Sequence, residues 1–296
     1  MQGFILLSKP SGITSFAAVA KIKRLAGEKR VGHTGTLDPM ATGVLPILLG
    51  RATTLSSIML DGNKRYTATV KLGITTDTED ITGNVLTQNN VNVSQLQLEY
   101  ALNNFCGKIT QTPPMYSAIK KDGVRLYDLA RQGKSVDIPS REVEIFEINL
   151  ISPLNEENCF VIDVFVSKGT YIRSLARDIG EYLGCGATLT ALERTDTCGF
   201  SIEKCVNLDD LDADNIFDFI ISEENAVMHL RECKITPKQA IRFSNGGQLD
   251  FSRLHIENVL DGELLRVKCG DTLIGIGIAD LENQRLNIKC IINFYK

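Results

Sequence analysis

Residues 30–46 read Arg30-Val-Gly-His-Thr-Gly-Thr-Leu-Asp-Pro-Met-Ala-Thr-Gly-Val-Leu-Pro46 and combine three glycines, one histidine, one aspartate and two prolines. Glycine permits a backbone with positive φ and a close approach to a ligand. Pro39 fixes its own φ and favours an extended conformation at Asp38. The apolar run at residues 44–49 predicts a buried strand. This stretch therefore predicts a stiff loop, anchored by a strand, that holds the carboxylate of Asp38 in a cleft.

The size and composition of the chain predict a globular protein. Its 296 residues are 43% apolar and carry a net charge of −4, and this length predicts one large domain followed by a small one. No run of about 18 apolar residues is present. The first residues lack the basic and long apolar segments of a signal peptide, so we expect a cytoplasmic protein. The eight cysteines contain no CxxC pair, which favours buried, reduced thiols.

The charges are distributed unevenly along the chain. Residues 1–50 contain six lysines and arginines against two acidic residues, and residues 116–134 contain five against two. Residues 207–224 contain seven acidic residues and no base. This asymmetry is compatible with a basic working face on an acidic body, and equally with ordinary solvated surface.

The apolar periodicity predicts alternating strands and helices. The strands are predicted at residues 3–8, 44–49, 65–72, 142–151, 159–167 and 187–195, and the helices at 15–25 with Ser15 as the cap, 52–60, 94–105 and 171–183. The acidic stretch 207–224 predicts a helix or a helical linker. From about residue 232, short strands and glycine-rich turns predict a small β domain.

Asp38 and Arg173 are the candidate catalytic pair on the residues alone. A catalytic carboxylate needs a fixed position and a cationic partner, and Arg173 begins a helix after Gly169-Thr170. Aspartate before proline is also common in turns, and such an arginine is often solvated, so a structural interpretation stays open. His33 is a candidate base or ligand. The sequence contains no metal-ligand pattern, no GxSxG motif of a serine hydrolase and no phosphate-binding loop motif.

Several blocks of sequence resemble the motifs of the tRNA pseudouridine-55 synthase family. The stretch 32–46 resembles the family signature. The other matching blocks are Lys9-Pro-Ser-Gly-Ile-Thr-Ser15, Lys64-Arg-Tyr66, Leu72-Gly73 with Thr76-Asp-Thr78 and Asp80, Gln111-Thr-Pro-Pro114 with Tyr116-Ser-Ala118 and Gly123, Lys168-Gly-Thr-Tyr-Ile-Arg173, and Leu192-Glu-Arg-Thr195. These blocks follow the family's order over residues 8–195.

The resemblance implies an α+β fold in two domains. Residues 1–231 would form a catalytic domain on a largely antiparallel central sheet, with an RNA-clamping insertion at about 106–140. Residues 232–296 would form a small β domain of PUA-like type that binds RNA.

The resemblance also implies the reaction, which is the isomerisation of uridine 55 to pseudouridine in the T-loop of tRNA. Asp38 matches the catalytic aspartate and would attack either uracil C6 or ribose C1′. Arg173 would pair with Asp38 and keep it charged. The ring of Tyr66 would stack on the uracil, and its hydroxyl would help to move a proton. Tyr171 and Leu192 would line the pocket.

The target base must leave the stack before a protein can reach it, and the resemblance supplies candidate groups for this step. His33 would brace the space that the uridine leaves, and Lys9 would support the loop. The residues expected to bind the substrate are Lys9, His33, Gly35, Thr36, Lys120, Arg125 and Arg131.

The expected partner is the T-arm stem-loop of tRNA, with no membrane, no obligate protein partner and a monomeric state. No cofactor is expected, because the reaction oxidises nothing and transfers no group in. No metal is expected, because the sequence contains no evident set of metal ligands. One alternative is a non-catalytic RNA-binding protein that opens tRNA loops, a role that could also accompany catalysis as tRNA folding. Another is a metal-dependent nucleic-acid hydrolase, which the sequence disfavours because it lacks a carboxylate or histidine cluster.

Overall fold

The computed structural model describes residues 2–60, 62–117, 119–121, 123–131 and 136–295, and it describes only the backbone of Lys120, Lys121, Arg125 and Arg131. Within these residues the α-helices are α1 (Ser15–Ala26), α2 (Ser56–Leu60), α3 (Gln95–Asn104), α4 (Leu126–Arg131), α5 (Ile172–Tyr182) and α6 (Pro237–Ser244). None of these described helices has the length and apolar character needed to cross a lipid bilayer.

The strands alternate with these helices along the chain. They are β1 (Gly3–Lys9), β2 (Val31–His33), β3 (Thr42–Leu49), β4 (Lys64–Leu72), β5 (Ile74–Thr76), β6 (Val85–Gln88), β7 (Gly107–Gln111), β8 (Lys120–Lys121), β9 (Val124–Arg125), β10 (Arg141–Ser152), β11 (Cys159–Val166), β12 (Ala187–Thr197), β13 (Phe200–Ser201), β14 (Val206–Asn207), β15 (Arg231–Lys234), β16 (Leu249–Asp250), β17 (Leu264–Cys269), β18 (Thr272–Asp280) and β19 (Arg285–Ile291).

A large mixed sheet forms the centre of the part of the chain that precedes β15. Its main strand order is β14-β1-β3-β12-β4-β11-β10-β7, with β2 paired to β3 and β13 paired to β12. The pairs β1–β14 and β3–β12 are parallel, whereas the other pairs of this sheet are antiparallel. The prediction of a mixed α/β fold on a largely antiparallel sheet is confirmed.

Helices α1, α3 and α5 cover one face of this sheet. Side chains of β4 alternate between buried and half-buried, as the sequence periodicity predicted. The apolar cluster between sheet and helices contains Ile22 of α1, Leu98 of α3 and Leu175 of α5, packed with Val70 of β4. Each helix thus contributes one apolar stripe to the core.

The start of α1 is tied to the loop that carries Asp38. Thr14 caps the helix, because its side chain accepts a hydrogen bond from the Ala17 amide at 3.0 Å. The predicted cap, Ser15, is wrong by one residue. Its buried hydroxyl instead accepts from the Leu37 amide at 2.9 Å and donates to the Leu37 carbonyl at 3.0 Å. The helix therefore fixes the residue immediately before Asp38.

The other face of the large sheet packs against a second, C-terminal sheet. This sheet has the strand order β15-β17-β18-β19-β16, which confirms the predicted small β domain. The shared apolar cluster contains Phe4 and Leu6 of β1, Leu48 of β3, and, from the C-terminal part, Leu273, Ile276 and Ile292. The domain boundary at residue 232 and the insertion at about 106–140 stay predictions.

Two predicted helices have a different local structure. The helix predicted at residues 52–60 is divided: Gly50–Leu55 form a 3₁₀-helix, and α2 follows it. The acidic stretch forms only short 3₁₀ turns in the described chain, at Leu208–Asp210, Ile216–Phe219 and Glu223–Val227. Its polar side chains bind nearby backbone groups: the Asp212 carboxylate accepts from the amides of Asp214 and Asn215, both at 2.9 Å. Such local bonds compete with an α-helix.

Gly43 is expected to tolerate no side chain. Its φ is +100°, and a Cβ there would lie 2.2 Å from the Arg194 carbonyl oxygen of the neighbouring strand β12. Gly43→Ala must separate β3 from β12, so we expect a loss of about 3 kcal/mol or more in the free energy of unfolding, measured by urea denaturation. Gly27→Ala is the control, because Gly27 has φ +59° in open surroundings; it should lose roughly 1–2 kcal/mol. Equal losses would contradict this packing argument.

Candidate active site

The loop between β2 and β3 holds Asp38 by its backbone. The Gly12 amide donates to the Pro39 carbonyl at 2.8 Å, and the Ala41 amide donates to the Asp38 carbonyl at 3.1 Å. Leu37 is buried in the main apolar cluster. Because the residues on both sides are fixed, the position of the Asp38 carboxylate is set by the main chain.

Arg173 contacts Asp38 from the first turn of α5. Its Nη2 donates to Asp38 Oδ1 at 3.0 Å, and its Nε lies 2.8 Å from Oδ2. The guanidinium also donates to the carbonyls of Thr78 at 3.0 Å and Tyr116 at 2.9 Å. The side chain of Arg173 is 4% exposed, whereas that of Asp38 is 30% exposed. The pair is therefore buried on the arginine side and open on the carboxylate side.

Burial and neighbouring charges set the pKa of Asp38. Burial raises this pKa above its usual value of 3.8, the charge of Arg173 lowers it, and the carboxylate of Asp80 raises it again. Lys9 lowers it slightly. The Asp38 pKa is raised on balance, so the ionised form is lost at a higher pH than for a free aspartate as the solution is acidified.

Lys9 lies beneath the loop and is fully buried. Its ammonium donates to the backbone carbonyls of Pro10 at 2.7 Å, Ile13 at 2.8 Å and Pro39 at 3.3 Å. Burial lowers the pKa of Lys9 to about 8, against the opposing charge of Asp38. A buried amine offers no surface to RNA. We therefore correct the expectation of a direct substrate contact and keep the expected role in supporting the loop.

The structure brings Tyr66 and Leu192 together on adjacent strands. Tyr66 of β4 is 7% exposed and Leu192 of β12 is 8% exposed, and both belong to the cluster that contains Leu37. In the antiparallel β4–β12 pair, Leu192 is opposite Ala68, two residues from Tyr66 on the same face. These two side chains therefore form an apolar wall on one face of the adjacent strands β4 and β12.

Tyr171 lies immediately before α5 and is half-buried. The side chain of Gln111 bonds its backbone twice: it accepts from the Tyr171 amide at 2.8 Å and donates to the Tyr171 carbonyl at 3.1 Å. The Arg141 guanidinium lies 5.0 Å from the centre of the Tyr171 ring. Gln111, to which the sequence assigned no individual role, thus connects β7 to the helix that carries Arg173.

His33, Gly35 and Thr36 lie at the entry to the same loop. His33 is half-buried, and burial together with the charge of Arg194 lowers its pKa. Thr36 is exposed, and Gly35 has φ +74°. The histidine is therefore neutral over a wider pH range than a solvated one, which suits contact with an uncharged base.

Arg194 is a residue of this site that sequence reasoning missed as an individual group. It is 1% exposed, and its guanidinium donates to the carbonyls of Val44 at 2.8 Å and Gly35 at 3.0 Å. Its position two residues after Leu192 in a strand was the available signal, because i and i+2 share a face. Arg194 therefore connects the start of the loop, at Gly35, to the strand that follows it, at Val44.

For three of the predicted substrate-binding residues, the structure describes the backbone but not the side chain. The backbone places Lys120 in β8, Arg125 in β9 and Arg131 at the end of α4. Their contribution to RNA binding stays a prediction.

Two acidic residues near Asp38 lie close to arginine side chains. Asp80 Oδ2 lies 3.8 Å from Arg173 Nε, and Glu79 pairs with Arg177. In the part of the chain that the structure describes, no group of three or more His, Cys, Asp or Glu side chains could hold a metal ion. An accessible carboxylate that a cation orients is suited, in its ionised form, to attack an electrophilic carbon.

Comparisons with known protein families match most of the chain. Residues 23–172 match the N-terminal domain of the TruB family of pseudouridylate synthases, and residues 173–233 match the C-terminal domain of tRNA pseudouridylate synthase B. The tRNA pseudouridine synthase B of Clostridium tetani is 43% identical over 296 residues, which cover 99% of this chain and 100% of the relative. That of Alkaliphilus oremlandii is 39% identical over 294 residues, covering 98% and 97%.

Chains of two solved assemblies have a similar fold. A chain of a Cbf5–Nop10–Gar1 complex superposes with a TM-score of 0.77 and 27% identity, covering 99% of this chain and 86% of its own. A chain of an H/ACA ribonucleoprotein bound to a substrate RNA that contains 2′-deoxyuridine gives a TM-score of 0.75 and 25% identity, covering 99% and 87%. The similarity therefore extends over both sheets.

Proposed function

Because the chain belongs to the TruB family of pseudouridylate synthases, we propose that it is a tRNA pseudouridine-55 synthase in which Asp38 is the nucleophile. It is an isomerase that acts on tRNA and converts uridine 55 to pseudouridine. The observation that supports the nucleophile is the pair of contacts from Arg173 to an accessible Asp38 carboxylate.

The reaction moves uracil from a nitrogen link to a carbon link on the same ribose. The C1′–N1 bond breaks, a C1′–C5 bond forms, C5 loses a proton and N1 gains one, so the composition does not change. Asp38 would bond transiently to uracil C6 or to ribose C1′, and both routes stay open. Either attack requires the ionised carboxylate. Arg173 supports this step because it favours the charged form and fixes its orientation.

The wall formed by Tyr66 and Leu192 would receive the extruded uracil. Extrusion from a structured loop costs a few kcal/mol, which stacking on an aromatic ring offsets in part. The ring of Tyr66 would supply the stack, and its hydroxyl would move a proton at the base. Tyr171 would close the side of the pocket that is next to α5.

The T-arm stem-loop of tRNA would bind over the loop at residues 33–36. His33 would occupy the space that the uridine leaves, and Gly35 and Thr36 would contact the adjacent backbone. The basic segments at 1–50 and 116–134 would neutralise phosphates, a contribution that weakens with added salt. The monomeric state, the cytoplasmic location, independence from protein partners and a tRNA-folding role stay predictions.

Pseudouridine mapping tests the proposed function. The purified protein should modify position 55 in an unmodified tRNA transcript without added cofactor, and a transcript with cytidine at that position should stay unmodified. Binding of tRNA without pseudouridine formation would instead favour the non-catalytic RNA-binding alternative.

Tyr66→Phe separates the two roles given to Tyr66. If the hydroxyl moves a proton, the single-turnover rate should fall by about 100-fold, the lower end of typical acid–base contributions. The fold should persist, because the ring still fills its place in the apolar cluster between the sheet and the helices. Tyr100→Phe is the control, since Tyr100 is 65% exposed on α3, and it should keep the parent's rate. An unchanged rate in Tyr66→Phe would assign the role of Tyr66 to its ring alone.

A further inference from the structure

A second arginine–carboxylate pair lies one helical turn beyond the first. Glu79 lies between β5 and β6, and its carboxylate pairs with Arg177 and accepts a hydrogen bond from the Ser174 hydroxyl at 2.9 Å. Ser174 and Arg177 follow Arg173 on α5. The Glu79 side chain is 13% exposed and that of Arg177 is 24% exposed. This pair is therefore partly shielded from water. A charge-assisted hydrogen bond contributes more stability in such a shielded position than on an open surface.

The backbone at Glu79 adopts an unfavourable conformation. Its φ is +62°, in the left-handed region that a residue with a long side chain rarely occupies. Such a conformation persists only where surrounding contacts impose it. The side-chain bonds to Ser174 and Arg177 are among the contacts that hold it here. The Glu79 amide also donates to the Thr76 carbonyl, and the Leu189 amide donates to the Glu79 carbonyl, both at 3.2 Å.

The strained turn presents two groups to Arg173. The residue before Glu79 contributes the Thr78 carbonyl, which accepts from Arg173 Nη1 at 3.0 Å. The residue after it contributes Asp80, whose carboxylate lies 3.8 Å from Arg173 Nε. Any relaxation at Glu79 would move both neighbours, because they share its peptide groups.

Arg177 also contacts the segment that follows β7. Its Nη2 donates to the Thr112 carbonyl at 3.2 Å. That segment leads to Tyr116, whose carbonyl accepts from Arg173 Nη2. Arg177 thus connects to both chain segments whose carbonyls hold the guanidinium of Arg173.

We propose that Glu79 and Arg177 are positioning residues, which act through the Thr78 and Thr112 segments to hold Arg173 against Asp38. This inference rests on the proposed function, since it assigns a role in the same reaction. In this proposal neither residue contacts the reacting nucleoside. The pair would raise the rate of the chemical step and leave tRNA affinity unchanged.

The test compares Glu79→Gln, Glu79→Gly and Arg177→Met with the full-length parent. Each variant loses one charge-assisted contact, and its single-turnover rate at saturating tRNA should fall by roughly tenfold or more. The tRNA concentration that gives half of the maximal rate should stay unchanged. Glu79→Gly relieves the positive φ, so a Glu79→Gly protein that is slow but stable would separate the rate from stability. Arg177→Lys should recover part of the rate lost in Arg177→Met. Glu181→Gln is the matched control, because Glu181 is 4.0 Å from Arg177 but 68% exposed.

The pH profile provides a readout that a purely structural role would not move. The groups that face Asp38 are Arg173, Asp80 and Lys9. If Arg173 is displaced, its charge stabilises the Asp38 carboxylate less, and the acid limb of the rate should move to higher pH. Suppose that a variant loses thermal stability but keeps the parent's rate and the parent's pH profile on the acid side. That result would overturn the positioning role and leave the proposed function standing. A parent that forms no pseudouridine would overturn the proposed function as well.

Discussion

Asp38→Asn is expected to form no detectable pseudouridine, even in a single-turnover assay with excess enzyme. The amide has nearly the same shape as the carboxylate but lacks the negative oxygen that attacks carbon. The loop should keep its structure, because it is held by backbone bonds at Pro39 and Ala41 and by the Ser15–Leu37 pair. Asparagine also tolerates turn conformations as well as aspartate does.

Affinity for tRNA should persist in this variant, since phosphate contacts and base stacking do not involve the carboxylate. The measurement combines tRNA binding, pseudouridine mapping and urea denaturation on the same preparation. A substantial remaining rate would exclude Asp38 as the nucleophile. Joint loss of binding and folding would show that Asp38 is chiefly a turn residue. The same variant would also isolate any tRNA-folding activity from catalysis.

Arg173→Met should cause the second largest loss. It removes the charge beside Asp38 and leaves the carbonyls of Thr78 and Tyr116 without their donor. Breaking a buried ion pair on one side typically costs about 3–5 kcal/mol of stability. We expect such a loss in urea denaturation, together with a rate at least about 1000-fold lower, since orientation and charge are lost together.

Arg173→Lys distinguishes charge from geometry. A lysine keeps the positive charge but cannot present the planar fork that reaches Asp38, Thr78 and Tyr116 at once. It should be more stable than Arg173→Met and still about 100-fold slower than the parent, because only part of the orientation survives. Lys204→Met, at an exposed position outside both basic segments, is the control and should behave as the parent does. Full activity in Arg173→Lys would mean that charge alone is sufficient.

Sequence reasoning found the features that depend on local patterns. The alternation at residues 65–72 predicted β4, and the glycine–proline pattern around Asp38 predicted a fixed loop. The residues alone made Arg173 a candidate partner from its place at the start of a helix, and the resemblance favoured this pairing over a solvated arginine. Arg173 is 135 residues away from Asp38 in the chain, so no spacing rule could have decided between the two. The roles given to Asp38, Tyr66 and the substrate-binding residues stay predictions.

What sequence reasoning missed depends on tertiary contacts. Arg194 is charged, yet it is buried because the carbonyls of Gly35 and Val44 meet it there. Glu79 occupies a left-handed conformation that its contacts with α5 and with the Leu189 amide hold in place. Helix α6 was hidden because its eight residues lie within a segment rich in turn signals. In each case the deciding partner is distant in sequence, or the element is too short to show a period.

The cluster shared by β1 and the C-terminal sheet constrains how the protein can fold during synthesis. Strand β1 is made first, yet Phe4 bonds the backbone of Ile221 and packs in a cluster with Ile292, and the Gln2 side chain donates to Asn293 at 3.1 Å. A ribosome adds about 5–20 residues per second. The apolar back of the large sheet therefore stays uncovered for many seconds, until the last strand has emerged. The loop that carries Asp38 is among the first parts to be translated, but the sheet that supports it is completed only with β14, at residues 206–207.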